Sequence, residues 1–335
     1  MLTLLPLVIF AGFFTWIASC IYRDFAKKKG LTAELNFRTL HAEETPKGGG
    51  LIVALIANLF IYLGWYLQII DDYRTLLIFI LGMIISVFGF IDDIRNIKAP
   101  IKLFFQIIFS FLVLIIVFPI GLFKFDLQII LFFMITIFFL TWNLNTINFM
   151  DGIDGLASSI GISIFISSLI AADHLDKNFT NEFELAILIS CFLGFLVVNL
   201  SKNKLFMGDS GSLFLGLMIN FILIKTIYEN FYLLWFWIIM LSFSLTETIA
   251  TTTYRLIYIK KWYGAHRSHA YQNLARIKEN HLAVTLGVSV YHIFWLTPLA
   301  MLSILRPIFL PLYLFLAISP VLVFNFTYGP RYSDK

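Results

Sequence analysis

At 335 residues the chain could bury a large soluble core, yet only 13% of it is charged, 60% is hydrophobic, and the mean hydropathy is +0.88. Soluble proteins carry about 25% charged residues, so the polar shell that such a core needs is missing and a water-soluble globular fold is excluded. The net charge of +4 is slight, no nucleic-acid partner is expected, and Cys20 and Cys191, both inside apolar runs, can build neither a disulfide framework nor a metal cluster.

The apolar runs are long enough to cross a hydrocarbon layer about 30 Å thick as helices. They predict an all-α polytopic transmembrane bundle of about eleven spans, near 2–22, 49–70, 74–91, 101–119, 126–142, 155–172, 184–200, 211–228, 231–254, 282–304 and 308–326. The fifth ends where Trp142-Asn143 opens a polar stretch. There is no internal repeat or low-complexity linker, which predicts one domain over 1–335. The first run has no basic residue before it and is followed by Arg23 and Lys27-Lys28-Lys29, as expected of an uncleaved helix with a cytosolic C-terminal end. Loops 23–48, 92–100, 143–154, 201–210 and 255–281, with the C-terminal tail, hold 18 of the 24 basic residues. The positive-inside rule puts these in the cytosol, the N-terminus in the periplasm and the C-terminus in the cytosol.

That orientation sorts the polar motifs, and in chain order the first is Thr45-Pro46-Lys47 with Gly48-Gly49-Gly50, ahead of the second span. It is no Walker A, since no Lys-Ser/Thr follows the glycines, but it can bring Lys47 and a helix start toward phosphate oxygens. Asp92-Asp93 ends the third span, where a bland loop would favour Lys or Arg. Two adjacent carboxylates repel, and a bound cation relieves the repulsion. Mg²⁺ suits the place, because it takes oxygen ligands and completes its shell with phosphates. Asn148-Phe149-Met150-Asp151-Gly152-Ile153-Asp154-Gly155 fails as an EF-hand loop, since Ile153 and Gly155 occupy ligand positions. Its acids can cap the next helix, or Asn148, Asp151 and Asp154 can hydrogen-bond a polar ligand such as a nucleotide base.

Phe206-Met207-Gly208-Asp209-Ser210-Gly211 shares Gly-Asp-Ser-Gly with β-barrel serine proteases, but here it opens an apolar helix, which excludes that chemistry. Asp209 and Ser210 suit a capped helix start, and the same place can receive a phosphate with its metal. In the ninth span Glu247 stands two turns before Arg255. It is the strongest candidate for an ion-coupling acid, so an ion-coupled transporter is the rival from another class. A helix-spaced charge pair near the interface is the milder account. The loop Gly264-Ala265-His266-Arg267-Ser268-His269 has three readings. It can ligate zinc, adhere to anionic lipid heads, or bind a diphosphate through His and Arg.

Taken together, from about 40 to 285, these motifs resemble the polyprenyl-phosphate N-acetylhexosamine-1-phosphate transferase family, glycosyltransferase family 4. The order is Pro46…Gly48-Gly49-Gly50, Asp92-Asp93, Asn148-x-x-Asp151-Gly-x-Asp154-Gly, Asn199…Phe206-Met-Gly-Asp209, then a His-rich loop. The resemblance implies an Mg²⁺-dependent enzyme, with Mn²⁺ as an alternative ion. Such an enzyme moves a sugar-1-phosphate from a UDP-N-acetyl sugar to undecaprenyl phosphate and releases UMP. It implies Asp209 as metal ligand and Asp92 and Asp93 as the catalytic pair, either deprotonating the lipid phosphate or helping to hold the ion. It also implies Asn148, Asp151, Asp154, Asn199 and Phe206 as the uridine-diphosphate pocket, Lys47 toward phosphate, and His266, Arg267 and His269 on the diphosphate. The resemblance further implies a bacterial inner-membrane setting, with the active site on the cytosolic face, membrane lipids around it and a homodimer as an option. The phospho-MurNAc-pentapeptide branch of peptidoglycan synthesis has consecutive histidines in the last loop. This chain reads His-Arg-Ser-His-Ala-Tyr-Gln, which looks like the branch that starts O-antigen or capsule chains.

Overall fold

The computed structural model describes residues 4–32, 45–118, 126–174, 182–259 and 267–333, and among these the secondary structure is helical with a single isolated bridge, Thr32 to Pro46. His266 and the rest of 260–266 lie outside the described residues. Ten helices are long and apolar enough to cross a membrane, and a bent pair makes an eleventh if its halves count as one span. The first eight are α1 (Leu5–Lys28), α2 (Gly49–Tyr66), α3 (Tyr73–Arg95), α4 (Ala99–Val117), α5 (Leu127–Phe149), α6 (Leu156–His174), α7 (Glu182–Asn199) and α8 (Gly208–Glu229). Their starts follow local chemistry. Asp72 accepts the Arg74 N–H at 3.1 Å and Asp126 accepts the Ile129 N–H at 2.9 Å, while Pro100 opens the first turn of α4, where no N–H is needed.

Helix α8 is the axis. In its most apolar window 89% of residues are buried inside the protein, against 17% for α1, and α2, α3, α4 and α5 pack around it. Because α8 faces protein rather than lipid on every side, its polar residues must find partners within the bundle. Asn220 accepts from Asn143 Nδ2 at 2.7 Å and donates to the Leu140 carbonyl at 2.9 Å.

Two features differ from the sequence expectation. The polar stretch that was to end the fifth span stays helical to Phe149. Its Asn and Thr side chains turn inward: Asn145 donates to Gln106 at 2.8 Å and Thr146 meets Thr248 at 3.2 Å. Polar residues interrupt a hydropathy pattern without interrupting a helix when neighbouring helices supply their partners. The expected span at 231–254 is instead α9 (Leu233–Met240) and α10 (Ser242–Tyr258), bent by 59° at Leu241. The Leu241 carbonyl at the bend accepts both the Leu245 N–H at 2.9 Å and the Ser244 hydroxyl at 3.1 Å. Helix α9 is all apolar, whereas α10 buries Ser244, Glu247, Thr248, Thr251 and Arg255 along one face. Beyond it come the short α11 (Ala270–Lys278), then α12 (His281–Tyr291), a π turn at His292–Leu296, α13 (Thr297–Leu305) and α14 (Leu310–Tyr328).

Candidate active site

The start of α8 gathers half of the predicted residues. The glycine motif does this indirectly. Phe206 N–H donates to the Pro46 carbonyl at 2.8 Å, Gly49 N–H to Phe206 at 2.9 Å and Gly50 N–H to Met207 at 3.0 Å. A Cβ on Gly50 would lie 1.9 Å from Gly211 Cα, so α2 and α8 can meet only as glycine on glycine. Lys47 is thereby carried to the end of α3, where its ammonium donates to the Asp93 backbone carbonyl. Tyr22 holds the Lys47 carbonyl at 3.1 Å.

Asp93 occupies the helix start expected to receive a phosphate. Its carboxylate accepts the Asp209 N–H at 3.1 Å and the Ser210 N–H at 3.4 Å. Gly208, at φ +70°, lies so close that a Cβ there would be 2.4 Å from Asp93 Oδ2. The protein's own anion therefore takes the partial positive charge of the α8 dipole. Asp92, one residue earlier, is 2% exposed. It accepts the Ile97 N–H at 2.7 Å and is ion-paired with Lys102. Lys102 also reaches Asp209 at 3.2 Å, and Asn148 Nδ2 donates to both Asp209 at 2.9 Å and Ser212 at 2.9 Å. Asp209 thus stands between an amide and an ammonium with its side chain 29% exposed, whereas Asp92 is 1% exposed. Of the two, Asp209 is the one open to a ligand.

Asp151 completes the ring. Burial first, then the negative charges of Asp209, Asp93 and Asp154, push its pKa well above the ordinary carboxylate value, against one hydrogen bond from Gly208. Four carboxylates here, Asp92, Asp93, Asp151 and Asp209, face two ammonium groups, Lys47 and Lys102. No three acidic, imidazole or thiol groups among the described residues already stand as a ligand set. The donor chemistry nonetheless fits a hard divalent cation: carboxylate oxygens in excess of local positive charge, one of them on the exposed Asp209.

The remaining predicted residues fall on two flanks. On one, Asp154 is tied to Lys204 and to His281 Nδ1 at 3.0 Å, and its carbonyl accepts the Thr285 hydroxyl at 2.8 Å. Burial raises its pKa, but these partners outweigh it and hold the group below the usual carboxylate range. Asp154 does not cap α6. That helix start is held instead by Asn199, whose Oδ1 accepts the Gly155 N–H at 2.6 Å while its Nδ2 donates to Leu205 at 2.8 Å. Phe206 is half-buried beside this turn. On the other flank, His269 begins α11 and its Nδ1 meets Glu247 Oε2 at 2.7 Å. Glu247 therefore has a histidine partner across helices, and on its own helix it lies 3.4 Å from the Thr251 hydroxyl. Tyr271 is fully buried and donates to the Phe149 carbonyl. Arg267 is half-buried, with its carbonyl accepting from Arg276 at 3.0 Å. His266 cannot be placed, since it lies outside the described residues.

Lys102, Lys204 and His281 were not singled out in the sequence. Lys102 carried a usable signal, as a lone base three residues after Ala99 inside an otherwise apolar span. Ionisable residues in such runs are functional candidates by default.

Comparison with known proteins adds an independent line. Residues 75–227 match the profile described as Glycosyl transferase family 4. Over 251 residues the chain is 28% identical to "Probable undecaprenyl-phosphate N-acetylglucosaminyl 1-phosphate transferase" of Bacillus subtilis (strain 168), covering 72% of this chain and 67% of that one. It is 30% identical over 244 residues to "Phospho-N-acetylmuramoyl-pentapeptide-transferase" of Streptococcus mutans, covering 64% and 71%. With "Decaprenyl-phosphate N-acetylglucosaminephosphotransferase" of Mycolicibacterium smegmatis it shares 28% over 230 residues, covering 63% and 57%.

Proposed function

Because the chain belongs to glycosyl transferase family 4, a family of membrane phosphosugar transferases, we propose that it moves an N-acetylhexosamine-1-phosphate from a UDP-sugar to undecaprenyl phosphate. The observation that carries the reading is the convergence of Asp92, Asp93, Asp209, Lys47, Lys102 and Asn148 on one helix start. In the reaction an oxygen of the lipid phosphate attacks the phosphorus that bears the sugar. The phosphoanhydride bond then breaks, and UMP leaves with the bridging oxygen. Such a transfer needs positioning and charge neutralisation rather than a special protein nucleophile.

Each residue has a part in this. Lys47 and Lys102 draw the phosphate oxygens to the end of α3. Asn148 and Lys102 fix the Asp209 carboxylate, and the Asp92–Asp93 pair takes the proton of the lipid phosphate or shares in holding the ion. Mg²⁺, with Mn²⁺ as an alternative, would be held by Asp209 with Asp93 and Asp92 beside it; when bound it supplies neutralisation of the phosphate charge. Asp151, Asn148 and Phe206 border the uridine diphosphate, and Asp154 and Asn199 shape that border from behind. Arg267, His269 and His266 take the diphosphate. An apolar groove of about 330 Å³ between α5 and α10, lined by Phe138, Trp142, Leu245 and Ile249, suits the polyprenyl chain.

The His-Arg-Ser-His form of the last loop favours the first membrane step of O-antigen, capsule or a related envelope glycan. The similarity to phospho-N-acetylmuramoyl-pentapeptide-transferases supports a second reading, peptidoglycan synthesis. Purified protein in detergent, given undecaprenyl phosphate and either UDP-N-acetylglucosamine or UDP-MurNAc-pentapeptide, separates the two by which donor releases UMP; release from neither, across the UDP-N-acetylhexosamines, would sink the proposal. The whole chain, 1–335, acts as one unit in the bacterial inner membrane with the site on the cytosolic face. A periplasmic reporter fused after Asn230 is then active and one fused after Asn203 silent; the reverse pattern overturns the placement.

A further inference from the structure

Glu247 has no part in the chemistry proposed above, yet it is 0% exposed on a helix otherwise facing lipid on one side. Burying a carboxylate is costly unless its oxygens are all matched. The partners it has found are informative. Oε2 meets His269 Nδ1 at 2.7 Å, and Oε1 accepts the Ala270 N–H at 2.8 Å and lies 3.4 Å from the Thr251 hydroxyl. One side chain on α10 thus holds both the imidazole and the first backbone N–H of α11. His269 is in turn 3% exposed, donates its backbone N–H to Gln272 Oε1 at 3.4 Å, and lies with its ring 5.6 Å from both Phe149 and Tyr271. Next along α10, Thr248 touches Thr146, one half-turn before Asn148, which holds Asp209. A carboxylate oxygen accepting at 2.7 Å calls for the proton of His269 on Nδ1, with Nε2 on the opposite edge of the ring, and this is the tautomer tested below.

We infer that Glu247 is a positioning residue for the donor diphosphate: it sets the tautomer and place of His269 and pins the start of α11, so that Arg267 and His269 are presented to the phosphates from a fixed point. This rests on the reading that His269 binds the donor. Second partners of this kind orient an imidazole much as they do at metal sites.

The test is a double-mutant cycle in the purified full-length enzyme, with Glu247→Gln, His269→Ala and the pair, measuring kcat, the KM for the UDP-sugar and the KM for undecaprenyl phosphate. His269→Ala raises the donor KM about tenfold, as expected for one charge-assisted hydrogen bond. Glu247→Gln does nearly the same, the double variant is no worse than His269→Ala, and Glu247→Asp recovers part of the loss. The KM for the lipid phosphate stays put throughout. A donor KM that stays at the wild-type value in Glu247→Gln, or a double variant whose loss is the product of the two singles, overturns the inference while leaving His269 on the donor. A wild-type donor KM in His269→Ala removes His269 from the donor and the inference with it. ¹⁵N-histidine spectra of the wild-type protein, with His269→Ala for assignment, need no folded Glu247 variant. A proton on Nδ1 supports the arrangement, and a bare Nδ1 with the proton on Nε2 refutes it.

Discussion

Helices α3 and α8 run antiparallel, and each end of the pair carries an Asp-Asp sequence on α3 facing a charged residue of α8. At one end Asp72 is bound by Arg74 at 2.9 Å and faces Lys225 of α8 at 3.8 Å. Burial opposes its ionisation, but the Arg74 hydrogen bonds and Lys225 prevail and hold its pKa below the usual carboxylate value. At the other end Asp92 and Asp93 face Asp209 of α8, an acid where the first end has a base. Lys102 is shared between two of the three, and at Asp151 burial first, then the surplus negative charge, pushes the pKa up. The same dipeptide thus meets a base of α8 at one end, where Asp72 is held ionised although burial pushes the nearby Glu229 up, and an acid of α8 at the other. The difference lies in the partner helix, and local unmet charge is what a functional site keeps and an anchor removes.

The contrast is most sharply tested at Asp209. Asp209→Asn should cut turnover at least about a hundredfold, the loss seen when a group that stabilises transition-state charge is removed. The variant should still insert and show a cooperative thermal transition; near-normal turnover at limiting Mg²⁺ would take Asp209 out of the mechanism. Added Mg²⁺ should raise the thermal midpoint of the wild type and not of Asp209→Asn, a readout independent of activity. Next in size, Arg267→Ala should lower kcat/KM for the UDP-sugar about tenfold, and Arg267→Lys should restore only part of it, since a point charge lacks the bidentate fork. Full rescue by Lys would mean that this loop merely adheres to lipid heads.

The smallest effects are the mirror pair. Asp72→Asn should cost about 1 kcal/mol of stability through a weakened cap and ion pair, with turnover unchanged. Its folded pKa is depressed, so this contribution is present above the unfolded carboxylate value and is lost as pH falls through the folded one. Asp151→Asn should do the opposite, raising the metal-free thermal midpoint by about 2 °C as repulsion is relieved, while activity falls. If both variants shift stability in the same direction, the two ends are not different in kind.

Much of the bundle was legible in the sequence because hydropathy reports length and composition, which set the spans. What it could not report was partnership. Hydropathy ends the fifth helix at Trp142 because Asn143, Asn145 and Thr146 look like loop residues until Asn220, Gln106 and Thr248 are known to face them. The bend at Leu241 has no Pro or Gly to mark it. In the site, the acids and their order were visible, but their assignments depend on pairings 61 to 127 residues apart in the chain. Asp93 with the α8 start, Asp154 with His281, and Asn148 with Lys102's partner Asp209 are not written in any local spacing. The glycine motif reads as a phosphate loop in the sequence, and what its geometry shows is the close meeting of α2 with α8.

That meeting has a consequence for hydrogen exchange. The amides of Gly49, Gly50 and Phe206 lie near the end of the bundle that must admit water and substrates, where fraying would ordinarily make exchange fast. Their carbonyl acceptors belong to the opposite segment in each case, Phe206 and Met207 for the glycines and Pro46 for Phe206. None can open without parting Lys47's segment from Asp209's. These three amides should therefore exchange as one slow group, and their common rate would time how often the site comes apart.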